Sequence, residues 1–361
     1  MKWYAVAHPG LEPVVARELE SLGVSVTLHP GGVRFEATVE AVAALLPMLR
    51  TPSRLLLELV EGSANGSDQL VSLTRRVQWK QYLPPDANIE VHASVKTSRI
   101  HFREAAEKKV LHHVREALKG PRVVDRERRP TVNQRISLRI EDDKATLSLD
   151  AGGGDLLHFR GWRTEQGPAS LRENLAAAML YAAGWSGDEP LVDPFCGSGT
   201  IPIEAALLAS GRSPYVRRTF AMAEWPMLKK LKVTQKPPMP ITVPILGYDR
   251  DSRVLVAATS NARRAGVSVA FAQREVIDLG PPGPRGLVVA NPPYGKRLGE
   301  GSEGRAYAEF GETLRGRFEG WRVLFLSPDP GLAAKVHRDA ERLLFFSNGG
   351  VKVGMYALEV R

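Results

Sequence analysis

Leu191-Val192-Asp193-Pro194-Phe195-Cys196-Gly197-Ser198-Gly199-Thr200-Ile201-Pro202-Ile203-Glu204-Ala205-Ala206 reads as a short β-strand, a glycine-rich turn and a helix. In an open parallel sheet such a turn falls at the carboxyl edge of the strands, where ligands bind, and glycine lets the backbone bend tightly against them. No Lys follows Gly199, which excludes a P-loop, and Asp193 at the strand end suits an amino group better than a pyrophosphate. Asp193, Phe195, Cys196, Gly197, Ser198, Gly199 and Thr200 are therefore the first cofactor-facing candidates.

Outward from that turn, short Val- and Ile-rich runs alternate with helical segments from about residue 156, the signature of a mostly parallel sheet. Strands are expected at 190–192, 245–248, 267–272, 286–289, 321–327, 341–346 and 353–360, and helices at 170–183, 200–208, 253–265 and 303–318. Residues 211–244 break the alternation and read as a long excursion between the first two strands. The second strand ends in Tyr248-Asp249-Arg250-Asp251, where a carboxylate on Asp249 is placed to accept both hydroxyls of a ribose and Asp251 to cap the next helix.

The fourth strand runs into Ala290-Asn291-Pro292-Pro293-Tyr294. Two consecutive prolines impose an extended, rigid turn without N–H donors, so the Asn291 amide oxygen and the Pro292 carbonyl are surplus acceptors. That is a site for a planar NH2: accepting both protons draws the nitrogen lone pair out of ring conjugation and points it at an electrophile. Tyr294 is placed to hold the ring by stacking.

The N-terminal third is different. Residues 2–58 read as strand, helix, strand, strand, helix, strand, and after a polar loop at 61–69 a second α+β unit follows, with a helix at 103–118 and strands at 134–140 and 144–150. Between Arg75 and Arg139 stand 16 Lys and Arg against 7 Asp and Glu, an excess equal to the +9 of the whole 361-residue chain. Arg75, Arg76, Lys80, Lys96, Arg99, Arg103, Lys108, Lys109, Arg126, Arg128 and Arg129 are the candidate phosphate contacts, because neutralising phosphates and releasing their counterions needs such clustering. One cysteine, Cys196, excludes an internal disulfide and a zinc ribbon. No apolar run is long enough for a membrane span and no signal-peptide layout is evident at the start, so a cytoplasmic location is expected.

The segments 193–200 and 291–294 resemble motifs I and IV of class I S-adenosylmethionine methyltransferases acting on exocyclic nitrogen. His158-Phe159-Arg160-Gly161-Trp162-Arg163, followed by Pro168-Ala169-Ser170-Leu171-Arg172-Glu173-Asn174, resembles the motif X segment of the THUMP-domain RNA methyltransferases, also labelled adenine DNA methylases. Arg217–Ala221 with Trp225-Pro226, Leu49–Arg54, Trp79 and Leu147–Asp150 match as well, so the likeness covers nearly the whole chain.

The resemblance implies an α/β fold: a Rossmann-like class I methyltransferase domain at 156–361, preceded by an α+β ferredoxin-like domain at 1–58 and a THUMP RNA-binding domain at 59–155. It implies S-adenosylmethionine as cofactor, no metal, and formation of N2-methylguanosine in structured RNA, either 23S rRNA or tRNA. Carried over, Asp193 and Gly197–Gly199 meet the methionine moiety and Asp249 the ribose, with Arg250, Pro168 and Ser170 also cofactor-binding. Asn291, Pro292, Pro293 and Tyr294 meet the target base, Asn291 also facing the donor. The acidic residue for the cofactor adenine is Glu275, with Asp278, three residues on, as the alternative. The segment Asp150-Ala151-Gly152-Gly153-Gly154-Asp155 is looser than the family's usual Asp-Thr-Ser-Gly. A DNA adenine-N6 methyltransferase and a non-catalytic RNA-binding or assembly factor are the rival readings. Oligomeric state stays open.

Overall fold

The computed structural model describes residues 1–118, 133–164, 171–231, 237–294, 302–348 and 350–361. Two seven-stranded sheets organise them. The first contains β1 (Lys2–Val6), β2 (Val26–His29), β3 (Gly32–Glu36), β4 (Arg54–Ser63), β5 (Ile89–Lys96), β6 (Gln134–Glu141) and β7 (Lys144–Asp150) in the order β2-β3-β1-β4-β7-β6-β5. Its pairings are antiparallel except β5 with β6. The helices α1 (Glu12–Ser21), α2 (Val39–Leu45), α3 (Ser67–Arg76), α4 (Trp79–Tyr82) and α5 (Arg103–Leu118) go with it.

The boundary expected between residues 58 and 59 falls inside β4, which pairs with β1 on one side and β7 on the other. Leu55 and Leu57 of β4 share one continuous apolar core with Trp3 of β1 and with Leu147 and Leu149 of β7. The two N-terminal units are thus welded through one strand rather than joined by a linker. Pro47 ends the second helix: α2 stops at Leu45 and a 3-10 turn takes Leu46–Met48.

The second sheet contains β8 (Leu191–Asp193), β9 (Ile245–Asp249), β10 (Ala270–Gln273), β11 (Leu287–Ala290), β12 (Arg322–Ser327), β13 (Glu341–Asn348) and β14 (Val351–Glu359) in the order β10-β9-β8-β11-β12-β14-β13. The first five strands of that order are parallel, and β14 runs antiparallel to both its neighbours. Central β8 and β11 are buried at every residue, as strands covered on both faces are. The connecting helices are α6 (Glu173–Ala182), α7 (Thr200–Ala209), α8 (Ser252–Ala265), α9 (Ser302–Arg317) and α10 (Pro330–Val336). Helix α8 starts where the Asp251 carboxylate accepts from Arg253 N–H and ends on left-handed Gly266. No helix among the described residues is long and apolar enough to cross a membrane.

The excursion after α7 is a strap laid on the first sheet. Trp225 stacks on Trp3 with ring centroids 6.3 Å apart, and its Nε1–H donates to Gln134 Oε1 at 3.1 Å. Beneath the strap lies a buried ionic junction. Arg160 Nε donates to Glu204 Oε1 at 3.1 Å and its Nη1 to the Tyr215 hydroxyl at 2.9 Å, while Arg50, from the first sheet's side, lies 3.7 Å from Glu204 Oε2. Glu18 accepts from the backbone N–H groups of Arg50 and Thr51. Opposite charges with many hydrogen bonds fix geometry even where they add little net stability.

Candidate active site

The carboxyl ends of four neighbouring parallel strands bring the predicted residues together. Register aligns Asp193 with Gly247 and Gln273 with Asp249, so Asp249 lies two residues beyond the level of Asp193. On the other side Val192 pairs with Val288, which places Asn291 two residues beyond Asp193 as well. The edge forms a notch with Asp193 at its floor and Asp249 and Asn291 as its walls.

The glycine-rich turn hangs on these strands. Asp193 Oδ1 accepts from Phe195 N–H at 3.0 Å, Cys196 N–H donates to Tyr248 O at 2.8 Å, and Asp249 Oδ2 accepts from Gly197 N–H at 3.0 Å. Gly197 (φ +51°) and Gly199 (φ +85°) both need the left-handed region. They do so for different reasons: a Cβ on Gly199 would meet Phe271 Cζ at 2.9 Å, whereas nothing lies within 4 Å of one on Gly197, leaving a cradle for a ligand. Asn261 of α8, absent from the sequence candidates, donates from Nδ2 to Ser198 O at 3.1 Å. Its only sequence signal is an amide on the helix face shared by Leu255, Ala258 and Ala262.

Two buried polar atoms here lack hydrogen-bond partners among the described residues, and a buried carboxylate lacks a countercharge. Asn291 is 8% exposed and its Oδ1 has no hydrogen-bond partner among the described residues; Ser198 Oγ is in the same position. Asp193 is buried, and burial together with the neighbouring Asp249 carboxylate pushes its pKa well above the ordinary value. A buried acceptor without a donor and a buried carboxylate without a cation are costly, and both costs fall when an amine arrives. Burial, then Asp193 and Asp249, likewise push the Cys196 thiol well up, which keeps it protonated and suits packing, not attack.

Several candidates stand apart from the expected picture. Tyr294 is not an open platform: its ring is 7% exposed in the apolar core and its hydroxyl accepts from Asn348 Nδ2 at 2.7 Å, because the proline corner turns it back towards β13. Phe195 meets Phe310 edge-on at 5.5 Å. Glu275 and Asp278 are both exposed after β10, and Arg250 is exposed with its carbonyl accepting from Gln273 Nε2 at 2.9 Å. Thr200 Oγ1 accepts from Arg163 Nη2 at 2.6 Å, and Arg163 Nε lies 3.1 Å from Glu173 Oε1, so motif X is anchored to the head of α7. Pro168 and Ser170 lie outside the described residues, as do Arg126, Arg128 and Arg129.

The remaining basic candidates are exposed on the first sheet's module. Arg75 and Arg76 end α3 beside Lys80 on α4, and Arg103, Lys108 and Lys109 lie along α5. Lys96, Arg99 and Arg103 are partly committed to Glu141, Asp143 and Glu107. Trp79 is core, its Nε1–H donating to Thr74 O.

Residues 160–351 match the RMKL-like methyltransferase domain family and residues 2–56 the RlmL ferredoxin-like domain. The chain is 36% identical over its full length to ribosomal RNA large subunit methyltransferase K/L of Syntrophotalea carbinolica, 54% of which it covers. It is 31% identical over 98% of its length to the putative RNA methyltransferase YpsC of Bacillus subtilis, 94% of which is covered. The chain spans about half the length of the K/L relatives it matches. Among solved structures, SMU.472, a putative methyltransferase complexed with SAH, superposes over 100% of this chain and 98% of its own with TM-score 0.86 and 28% identity. With the notch at the sheet edge and these matches over both halves, the chain belongs to the RMKL-like methyltransferase family.

Proposed function

We propose that the chain is an S-adenosylmethionine-dependent RNA methyltransferase that forms N2-methylguanosine in structured RNA, with residues 59–155 as its THUMP RNA-binding unit. The observation that carries this reading is the buried Asn291 Oδ1, without a hydrogen-bond partner among the described residues, at the wall of a notch whose floor is the buried carboxylate of Asp193. The orphaned acceptor, the strained carboxylate and the open cradle at Gly197 fit the cofactor. Asp193 and the 197–199 turn would hold its methionine end, Asp249 its ribose and Glu275 its adenine. When bound, S-adenosylmethionine supplies an electrophilic methyl group on a sulfonium.

The chain's own residues do the rest. Asn291 Oδ1 and the Pro292 carbonyl accept the two protons of the exocyclic amine and raise the electron density on its nitrogen. The double proline fixes both acceptors before substrate arrives, so no reorganisation is required. A guanine must leave its stack to reach a notch this buried, at a cost of about a few kcal/mol. The exposed Arg75, Arg76, Lys80, Lys108 and Lys109 supply the attraction that offsets it.

The K/L and YpsC names favour RNA over DNA, the substrate of the nearest rival reading. Nucleoside mass spectrometry of separated tRNA and rRNA from a deletion strain and its parent tests the proposal. Loss of N2-methylguanosine from one RNA class is expected; loss of N6-methyladenine from DNA alone would replace it with the rival.

A further inference from the structure

Phe159 stands out in the loop that carries the chain from the first sheet to the second. Its ring is 53% exposed, yet its backbone is clamped. Its N–H donates to Leu156 O at 3.2 Å and its carbonyl accepts from Arg218 Nη1 at 3.0 Å. The next residue, Arg160, is fully buried in the ionic junction. A single exposed apolar ring is ordinary by itself; what sets Phe159 apart is that its clamped backbone fixes the direction its ring faces.

Its surroundings are those of a nucleotide. The buried His158 ring lies 4.3 Å from the Phe159 ring, tilted by 37°, and backs it from the protein side. Burial, helped by Arg172, Arg160, Arg163 and Arg218, holds His158 down at about 4, so the imidazole is neutral and the local positive field belongs to the guanidiniums. Arg172 is exposed at the start of α6, and Arg217, also exposed, takes a left-handed φ of +53° beside the Arg218 clamp. Four residues after Phe159, Arg163 touches Thr200 at the head of the cofactor turn. The loop therefore joins the cationic module to the chemical site.

We propose that Phe159 is a stacking platform for an unpaired base of the substrate RNA, with Arg172 and Arg217 on the flanking phosphates. The inference rests on the RNA methyltransferase reading and adds a positioning site to it: a base held at this seam keeps the strand unstacked next to the notch. Stacking on an aromatic ring strengthens single-strand binding by about tenfold or more per base, and an aliphatic side chain of similar area does not replace the π-face.

Phe159→Ala is expected to raise the KM for RNA about tenfold while leaving S-adenosylmethionine binding and kcat at saturating RNA near wild type. Phe159→Trp should restore the KM, and Phe159→Leu should behave like the alanine variant. Photocrosslinking to 5-iodouridine-substituted tRNA and 23S rRNA transcripts, mapped by peptide mass spectrometry, reads the site without methyl transfer and should label Phe159. A wild-type KM in Phe159→Leu, or crosslinks that map only elsewhere while methyl transfer proceeds, overturns this platform and spares the enzyme reading. Crosslinking at Phe159 without methyl transfer to any RNA does the reverse.

Discussion

Gly197 donates its backbone N–H to Asp249 Oδ2 over 3.0 Å, so the glycine-rich turn after β8 and the carboxylate after β9 form one unit rather than two independent contacts. Asp251 N–H holds the other oxygen at 3.0 Å. Loss of the Asp249 carboxylate would loosen the turn as well as remove the proposed ribose partner. Asp249→Ala is therefore expected to weaken S-adenosylmethionine binding by more than the roughly tenfold of a single lost hydrogen bond, measured by calorimetry.

Asn291→Ala removes the orphaned acceptor and should cost on the order of 10²–10³ in kcat, as losing one preorganised polar group does elsewhere. S-adenosylmethionine binding should stay within a few-fold. Methyl transfer at near wild-type rate would end the role assigned to Asn291.

The pH behaviour of Asp193 runs opposite to that of a paired carboxylate. Its folded pKa is raised, so the native state favours the protonated form; the stability it contributes is full below the unfolded pKa near 4 and is lost as pH rises through the folded value. Asp193→Asn should therefore raise the thermal midpoint of the ligand-free protein by a few degrees at pH 7, with the gain vanishing at about pH 4. The same variant should bind S-adenosylmethionine at least about a hundredfold more weakly, since an amide cannot ionise to meet the amine as the proposed role of Asp193 requires.

Glu275 and Asp278 are the two candidates for the cofactor's adenine amino group, and single amide substitutions separate them. Glu275→Gln is expected to weaken cofactor binding several-fold and Asp278→Asn to leave it unchanged. The reverse pattern would move the contact to Asp278.

Glu204→Ala leaves Arg50 and Arg160 buried without their shared carboxylate, which should destabilise the folded chain by about 3–5 kcal/mol in urea unfolding. A loss below about 1 kcal/mol would show that the junction is solvated.

The alternation of strands and helices made the second sheet legible, and α5 falls at the residues its sequence pattern marks, Arg103–Leu118. The notch was legible because Asp193, Asp249 and Asn291 each end a strand, and strand ends in a parallel sheet share one edge. What stayed hidden depends on long-range pairing. Nothing local in Leu55-Leu56-Leu57 says that this strand has β1 and β7 on its two sides. The strap residue Trp225 looks like any core tryptophan until Trp3 is seen beneath it. Tyr294 was read as a stacking platform because its partner Asn348 lies 54 residues away on a different strand.

A strand shared by both halves of a sheet is also a spacer that cannot flex. Since β4 joins the sheet half that carries the cationic helices to the other half, the proposed function implies that the separation between where a polyanion would be gripped and where its amine would react is set when the chain folds. On the proposed function such a molecule would work as a caliper: it would select a nucleotide by its distance from a gripped stem, and the letters in between would go unread.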